Sequence, residues 1–318
     1  MDTDKELDRV VATLLALDAS VDRFASVYRQ TFDQLYDGQR TGRYSWGQLY
    51  KTEKTHFGTL IEINLQREFD FVDGDVLDYK IDGIEVDCKY SFKSGSWMLP
   101  PECWGELIMV STADDVHSLW SLGVVRVSEL NRRTTVNRDG KTTLSQEGRN
   151  AVRWVFRDLD MPPNVLLQLP EEAVRKIYER KRGQARLDEL FRQAEGMLVH
   201  RSSVATAAQQ HDYMKRVRSN GGSRSTLGKE GYLIVSGDYE NQRQIAREFA
   251  LPIPGPGEFV SFRVLPTAES DPMSVALDGG FWRMAKLDEP STSAAPSLPK
   301  QGERRTDGEL VQPEDLTE

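Results

Sequence analysis

Glu62, Asp78, Asp87 and Lys89 have the types and spacing that could do chemistry on a phosphate. Two alternating runs, Val76 to Ile81 and Ile84 to Phe92, flank Asp82-Gly83. Asp-Gly between alternating runs is the strongest short-range hairpin signal. With Asp82 and Gly83 as the central pair of a two-residue turn, Ile81 opposes Ile84, Lys80 opposes Glu85, Tyr79 opposes Val86 and Asp78 opposes Asp87. One face then carries Leu77, Tyr79, Ile81, Ile84, Val86, Cys88 and Tyr90. The other carries Asp78, Lys80, Glu85, Asp87 and Lys89. Opposed side chains have Cβ atoms ~4.5–5.5 Å apart, so two aspartates there repel unless a cation sits between them. A hard divalent ion such as Mg²⁺ suits paired carboxylates and keeps several waters. Two aspartates and a lysine could hold that ion and an attacking water beside a scissile phosphate. On the residues alone, a solvated hairpin face of mixed charge, a common arrangement, stays open and is the favoured alternative.

These residues need elements to hold them. Phe57, Ile61, Leu65 and Phe69 recur every four residues and predict a helix from about Thr55 to Phe69, with Glu62 beside its apolar face. Helical spacing also runs through Val10, Leu14, Leu17, Phe24, Tyr28, Phe32 and Leu35, ending at Asp37-Gly38. Further strands are expected at Leu107 to Ser111, Leu119 to Val127 and Val165 to Leu169. The expected fold class is α/β (α+β) with a central mixed sheet. Met161-Pro162-Pro163-Asn164 reads as a boundary. This gives a first domain over 1–162, a linker over 163–170, a second domain over 171–287 and a tail over 288–318.

The chain has 318 residues, 38% apolar and 29% charged, which reads as globular. No apolar run approaches the roughly 18 residues that would span a bilayer. The acidic start is neither a secretory signal nor a transit peptide, so a cytoplasmic protein without a membrane partner is expected. Two cysteines exclude a disulfide framework.

The formal net charge is −9, but it is segregated. From Arg175 to Lys229 there are 13 Lys or Arg against 5 Asp or Glu, a balance of +8 that leaves −17 for the remainder. That basic block suggests a polyanion partner, against the alternative of a solvated helix pair. From Asp288 onward, 8 acidic and 3 basic residues with four prolines predict a disordered tail.

Within the basic block, Leu187, Leu190, Phe191, Ala194 and Leu198 repeat at helical spacing, and a short helix follows Ser202 or Ser203. A third helix is expected from about His211 to Ser219, burying Tyr213, Met214 and Val217. It would present Lys215, Arg216 and Arg218, ahead of a flexible basic loop containing Arg224. Helix, helix, basic helix is the order a helix-turn-helix needs, and Gln209 and Gln210 are further base-reading candidates. A plain three-helix packing unit is the alternative.

Other candidates are weaker. Cys88 reads as a small buried residue rather than a nucleophile. The four histidines show no metal-ligand spacing, and His56 is either structural or phosphate-facing. Trp97 to Pro101 is a loop that either approaches a ligand or caps the core.

Asp78 with Asp87-Cys88-Lys89 and the upstream Glu62 resembles the PD-(D/E)xK nuclease core. The surrounding stretches resemble the NaeI restriction endonuclease family: Asp33 to Arg43, Lys51 to His56, Gly58 to Phe69, Val86 to Lys89 and Trp97 to Glu102, then Gly183 to Arg192 and Met214 to Ser225. The similarity covers about residues 7 to 285. Leu77 replaces the proline of the motif name. The resemblance implies a type IIE, Mg²⁺-dependent enzyme that cuts the palindrome GCCGGC to blunt ends. It implies catalysis by Glu62, Asp78, Asp87 and Lys89. Asp78 and Asp87 would be metal ligands, with the Cys88 carbonyl and Glu62 helping. A C-terminal domain of winged-helix, catabolite-activator-like type would bind a second DNA copy. A homodimer and a cognate DNA methyltransferase partner are also implied. A DNA-binding regulator with an inert nuclease core is the competing reading.

Overall fold

The computed structural model describes residues 4–218, 220–286, 288–290 and 293–299. It resolves two compact units. Met1–Asp37 and Arg43–Gln168 make the first, while Gly38–Gly42 and Leu169–Glu318 make the second.

The first unit opens with α1 (Lys5–Leu17) and α2 (Asp22–Tyr36). The single expected periodicity is broken at Asp18, whose carboxylate accepts from the backbone N–H of Arg23 and Phe24 and so caps the second helix. The short α3 (Gly38–Thr41) belongs to the second unit. α4 (Lys51–Phe69) starts a turn earlier than expected, with Glu53 accepting from Tyr50 N–H in the first turn.

A six-stranded sheet follows in the order β1-β2-β3-β4-β5-β6. Its strands are β1 (Val72–Asp73), β2 (Tyr79–Ile81), β3 (Ile84–Tyr90), β4 (Leu107–Asp114), β5 (Leu119–Arg126) and, after α5 (Gln146–Asn150), β6 (Arg153–Asp160). β3 and β4 run parallel and the other pairs antiparallel, so the sheet is mixed. Val86, Cys88, Leu107 and Met109 pack with α1, α2 and α4 on one face. Ile108, Val110, Trp97, Leu99 and Leu144 fill the other. Leu77, expected on the first face, joins the second cluster. The expected strand at Val165 to Leu169 is instead a one-turn helix, α6 (Val165–Gln168).

The second unit contains α7 (Glu171–Glu179), α8 (Gly183–Gln193), β7 (Leu198–His200), α9 (Arg201–Ala208), α10 (Ser223–Gly228), β8 (Tyr232–Ser236), α11 (Glu240–Glu248), β9 (Glu258–Pro266), β10 (Val275–Leu277) and β11 (Gly280–Met284). β9 is central and pairs with β7, β8 and β11. Its core joins Val235, Ile245, Phe249, Val260 and Phe262. The described start of the expected tail is anchored: Glu289 grips Arg283, Ala295 N–H reaches the Gly228 carbonyl and Leu298 packs on this core. The rest of the tail, 300–318, lies outside the described residues. No described helix is long and apolar enough to cross a membrane.

Candidate functional site

The Asp82-Gly83 turn has φ of 51° and 73°, the left-handed pair a type I′ hairpin requires. Its register is Ile81 with Ile84, Lys80 with Glu85 and Tyr79 with Val86. Regular pairing stops there. Glu85 accepts from the backbone N–H groups of Asp75, Val76 and Leu77, which holds the approaching chain in a bend and shortens the strand expected from Val76. Asp78 is thereby set at the strand entrance. Its Oδ2 accepts from the N–H of Cys88 at 2.6 Å.

Asp87 and Lys89 project from β3 on the face away from α4. Lys89 Nζ lies 2.7 Å from Asp87 Oδ1, 3.6 Å from Asp78 Oδ2 and 3.0 Å from the Cys88 carbonyl oxygen. The repelling aspartates therefore do have a cation between them, and the cation is the lysine's own ammonium. Asp87 is 4% exposed and its Oδ2 is buried with no hydrogen-bond donor. Burial, reinforced by Asp78, pushes the Asp87 carboxyl up, against the pull of Lys89. Burial works to lower the Lys89 ammonium, but Asp87 and then Asp78 outweigh it and hold it above its ordinary value. The hydrogen bonds that this ammonium donates to Asp87 and the Cys88 carbonyl suit a role in orientation and charge stabilisation.

Glu62 comes from α4. Burial and then the Asp78 charge raise its carboxyl, with Lys89 opposing. The Tyr79 hydroxyl donates to the Glu62 backbone carbonyl at 2.7 Å and ties that helical turn to the hairpin. Tyr79 was visible as an apolar-face residue, but its polar end was not read from the sequence. Glu62 does not complete a three-carboxylate set: among the described residues, no three His, Cys, Asp or Glu side chains form a metal-holding group. The oxygens that do converge are two carboxylates and one carbonyl. An orphaned buried carboxylate oxygen, and a cation already seated among those three donors, fit a hard divalent ion that keeps waters as further ligands. The Cys88 thiol is buried in the core, and burial pushes it up, away from nucleophile chemistry.

Around the site, Trp97 and Leu99 are buried and the Trp97 indole donates to the Ser111 carbonyl, so the loop after β3 caps the core. His56 is exposed at the start of α4. The end of α2 is structural: the Tyr36 hydroxyl donates to Asp115, which also pairs with the buried Arg29, and Gln34 accepts from Asn64.

In the second unit the expected third helix is absent. Tyr213–Val217 is a single 3-10 turn, and α10 takes the place expected for a flexible loop. Gln209 ends α9 in the left-handed conformation. A Cβ on Gly222 would lie 2.6 Å from the Arg216 and Arg218 carbonyl oxygens, so the chain doubles back too tightly for a helix to continue. Lys215 and Arg218 are exposed, and Arg216 pairs with Asp212 at 3.1 Å. The Gln209 side chain lies against Gly42. The Gln210 carbonyl accepts from Gln39. Arg224 departs from its expected role. Its guanidinium donates to the Ile234 carbonyl and to Gln242, and burial lowers it.

A sequence model described as restriction endonuclease NaeI matches residues 8–293. The type II restriction enzyme NaeI of Lentzea aerocolonigenes is 46% identical over 305 residues, covering 93% of this chain and 95% of that protein.

Proposed function

The chain belongs to the NaeI restriction endonuclease family, and on that premise we propose that it is a Mg²⁺-dependent enzyme hydrolysing double-stranded DNA at GCCGGC. The observation that carries this reading is the partly buried cluster on the hairpin, with Lys89 Nζ among Asp87, Asp78 and the Cys88 carbonyl.

Asp78, Asp87 and the Cys88 carbonyl would hold the divalent ion, with Glu62 acting through water. When bound, the ion supplies a Lewis acid for the phosphate and lowers the pKa of a coordinated water. Lys89 donates hydrogen bonds that orient the attacking water and offset charge on the phosphoryl oxygens as the transition state forms. Asp78 also fixes the register of the catalytic strand through the Cys88 N–H. Tyr79 holds the Glu62 turn against the hairpin.

The second unit is read as a winged-helix domain that binds another DNA copy and activates cleavage. The element order α8, β7, α9, α10, β8, β9, with β9 between β7 and β8, supports that reading. In it, α10 rather than residues 211–219 is the third helix. Lys215 and Arg218 on the preceding turn would meet phosphates, with Arg216 and Gln209 beside them. A palindromic target calls for a two-fold homodimer, and self-protection calls for a cognate methyltransferase.

The test is cleavage of a plasmid with two GCCGGC sites against a one-site plasmid and an EDTA control. Defined Mg²⁺-dependent fragments, formed faster from the two-site plasmid, are expected. Binding without cutting would instead identify a DNA-binding regulator with an inert core.

A further inference from the structure

The segment between β5 and α5 forms an exposed, basic arm that the site described above does not use. Backbone bridges Leu99–Thr142 and Arg132–Leu144 hold its base. Leu99 and Thr142 exchange both N–H···O bonds at 2.9 Å, so the arm is bonded directly to the loop that follows the Lys89 strand. The buried Thr142 hydroxyl faces the carbonyls of Arg133 and Thr135. At the tip, Asn137 Oδ1 accepts from Asp139 and Lys141 N–H, and Gly140 at φ 74° closes the turn. The tip is therefore ordered by its own hydrogen bonds, while residues 133–139 are all exposed.

The arm reaches back to the catalytic cluster in two steps. A Cβ on Gly140 would lie 3.5 Å from Pro101 Cγ. Pro101 opens the turn ending at Cys103, which packs in one cluster with Ile108 and Val110, the β4 residues paired to Asp87 and Lys89. Five other arginines of this unit are held by carboxylates: Arg9 on Asp82, Arg23 on Glu68, Arg29 on Asp115, Arg126 on Asp4 and Arg153 on Asp8. Arg132, at the arm's base, lies over the Trp104 ring at 4.1 Å. Arg133, Arg138 and Lys141 are exposed and meet no carboxylate within salt-bridge distance among the described residues. A rigid arm that presents three unpaired cations beside a phosphate-cleaving cluster has charge complementary to one partner.

The geometry points to residues 131–141 as a DNA-positioning arm of the cleavage site, with Arg133, Arg138 and Lys141 on backbone phosphates of the duplex being cut. This rests on the nuclease reading above. Phosphate contacts set register and affinity rather than sequence choice, so the arm governs how DNA is held, not which bond is broken.

The experiment compares the full-length chain with the triple variant R133A/R138A/K141A and its lysine-retaining counterpart R133K/R138K. Cleavage of a two-site plasmid is followed across substrate and salt concentrations, beside thermal melts. The triple variant is expected to melt with the parent and to keep its rate at saturating DNA. Its KM should rise by about ten-fold or more at 0.15 M salt, and the slope of log(kcat/KM) against log[salt] should flatten by about 3. R133K/R138K should restore most of that slope. A parent that cuts, beside a triple variant with unchanged KM and slope, overturns the arm alone. A parent that leaves DNA intact overturns the nuclease reading and the arm with it.

Discussion

The catalytic hairpin and the basic turn of the second unit use charge in opposite ways. In the hairpin, Asp87 is buried, Asp78 is near it, and Lys89 is enclosed by the oxygens of both. On the turn, Lys215 and Arg218 stand in solvent with their neighbours packed beneath them. Like charges forced together in a poorly solvated site store unfavourable free energy that a bound cation relieves. Exposed cations store almost none, and gain theirs by releasing counterions from DNA. Chemistry and holding therefore make different demands on the fold. The first needs register fixed to a fraction of an ångström, while the second needs only a surface of the right sign.

The sharpest way to break this comparison is Lys89→Ala. Cleavage should fall by ~10²–10³-fold, the loss seen when one transition-state donor is removed, while a gel shift still reports DNA binding. A near-parental rate would return the hairpin to the mixed-charge face that the sequence left open. Next, Asp78→Ala should cost about 1–3 kcal/mol in urea unfolding, because it strands the Cys88 N–H. Asp78→Asn keeps an acceptor oxygen and should recover most of that stability without recovering cleavage. Lys215→Ala with Arg218→Ala should leave stability within ~0.5 kcal/mol, as for other surface changes. It should flatten the salt dependence of DNA binding by about 1 for each phosphate contact removed.

The smallest effect is Glu62→Gln. The Glu62 carboxyl is raised in the folded chain, so its ionised form costs stability. That cost is absent below its unfolded value, where both states are protonated. It grows as pH rises toward the folded value and is constant above it. The glutamine variant should therefore melt slightly higher than the parent at pH 7, by well under ~1 kcal/mol after solvent screening. The gain should vanish on acidification to about pH 4, near the unfolded value. A gain that persisted there would show that packing, not charge, was responsible.

How much of this could be read from the sequence depends on how local each determinant is. The hairpin register was legible because Asp82-Gly83 fixes the turn and alternation fixes the faces. The end of the ladder was not, because it depends on the Glu85 side chain capturing three backbone N–H groups. The nearness of Lys89 to both aspartates was expected from an Asp78–Asp87 opposition, but the ladder ends at Tyr79 and Val86 and Asp78 instead reaches the Cys88 N–H. In the second unit, Tyr213, Met214 and Val217 have a spacing that suits a helix, yet one 3-10 turn also satisfies it. The choice was made by the return of the chain at Gly222. Arg224 looked like a surface cation because its partners, Ile234 and Gln242, lie 10 and 18 residues away. Thr142, which anchors the basic arm through Leu99, gave no periodic signal at all.

The short helix Gly38–Thr41 carries a consequence for modularity. It lies early in the chain yet belongs with α9, far along it, where Gln39 donates to the Gln210 carbonyl and Gly42 meets the Gln209 side chain. The second unit is thus discontinuous in sequence. A cassette of residues 169 onward, moved to another protein, would arrive without one of its own pieces, and residues 1–168 alone would carry that piece with nothing to receive it. The dependence runs one way: the second unit needs a stretch that lies within the first unit's part of the chain, and the first needs none of the second's.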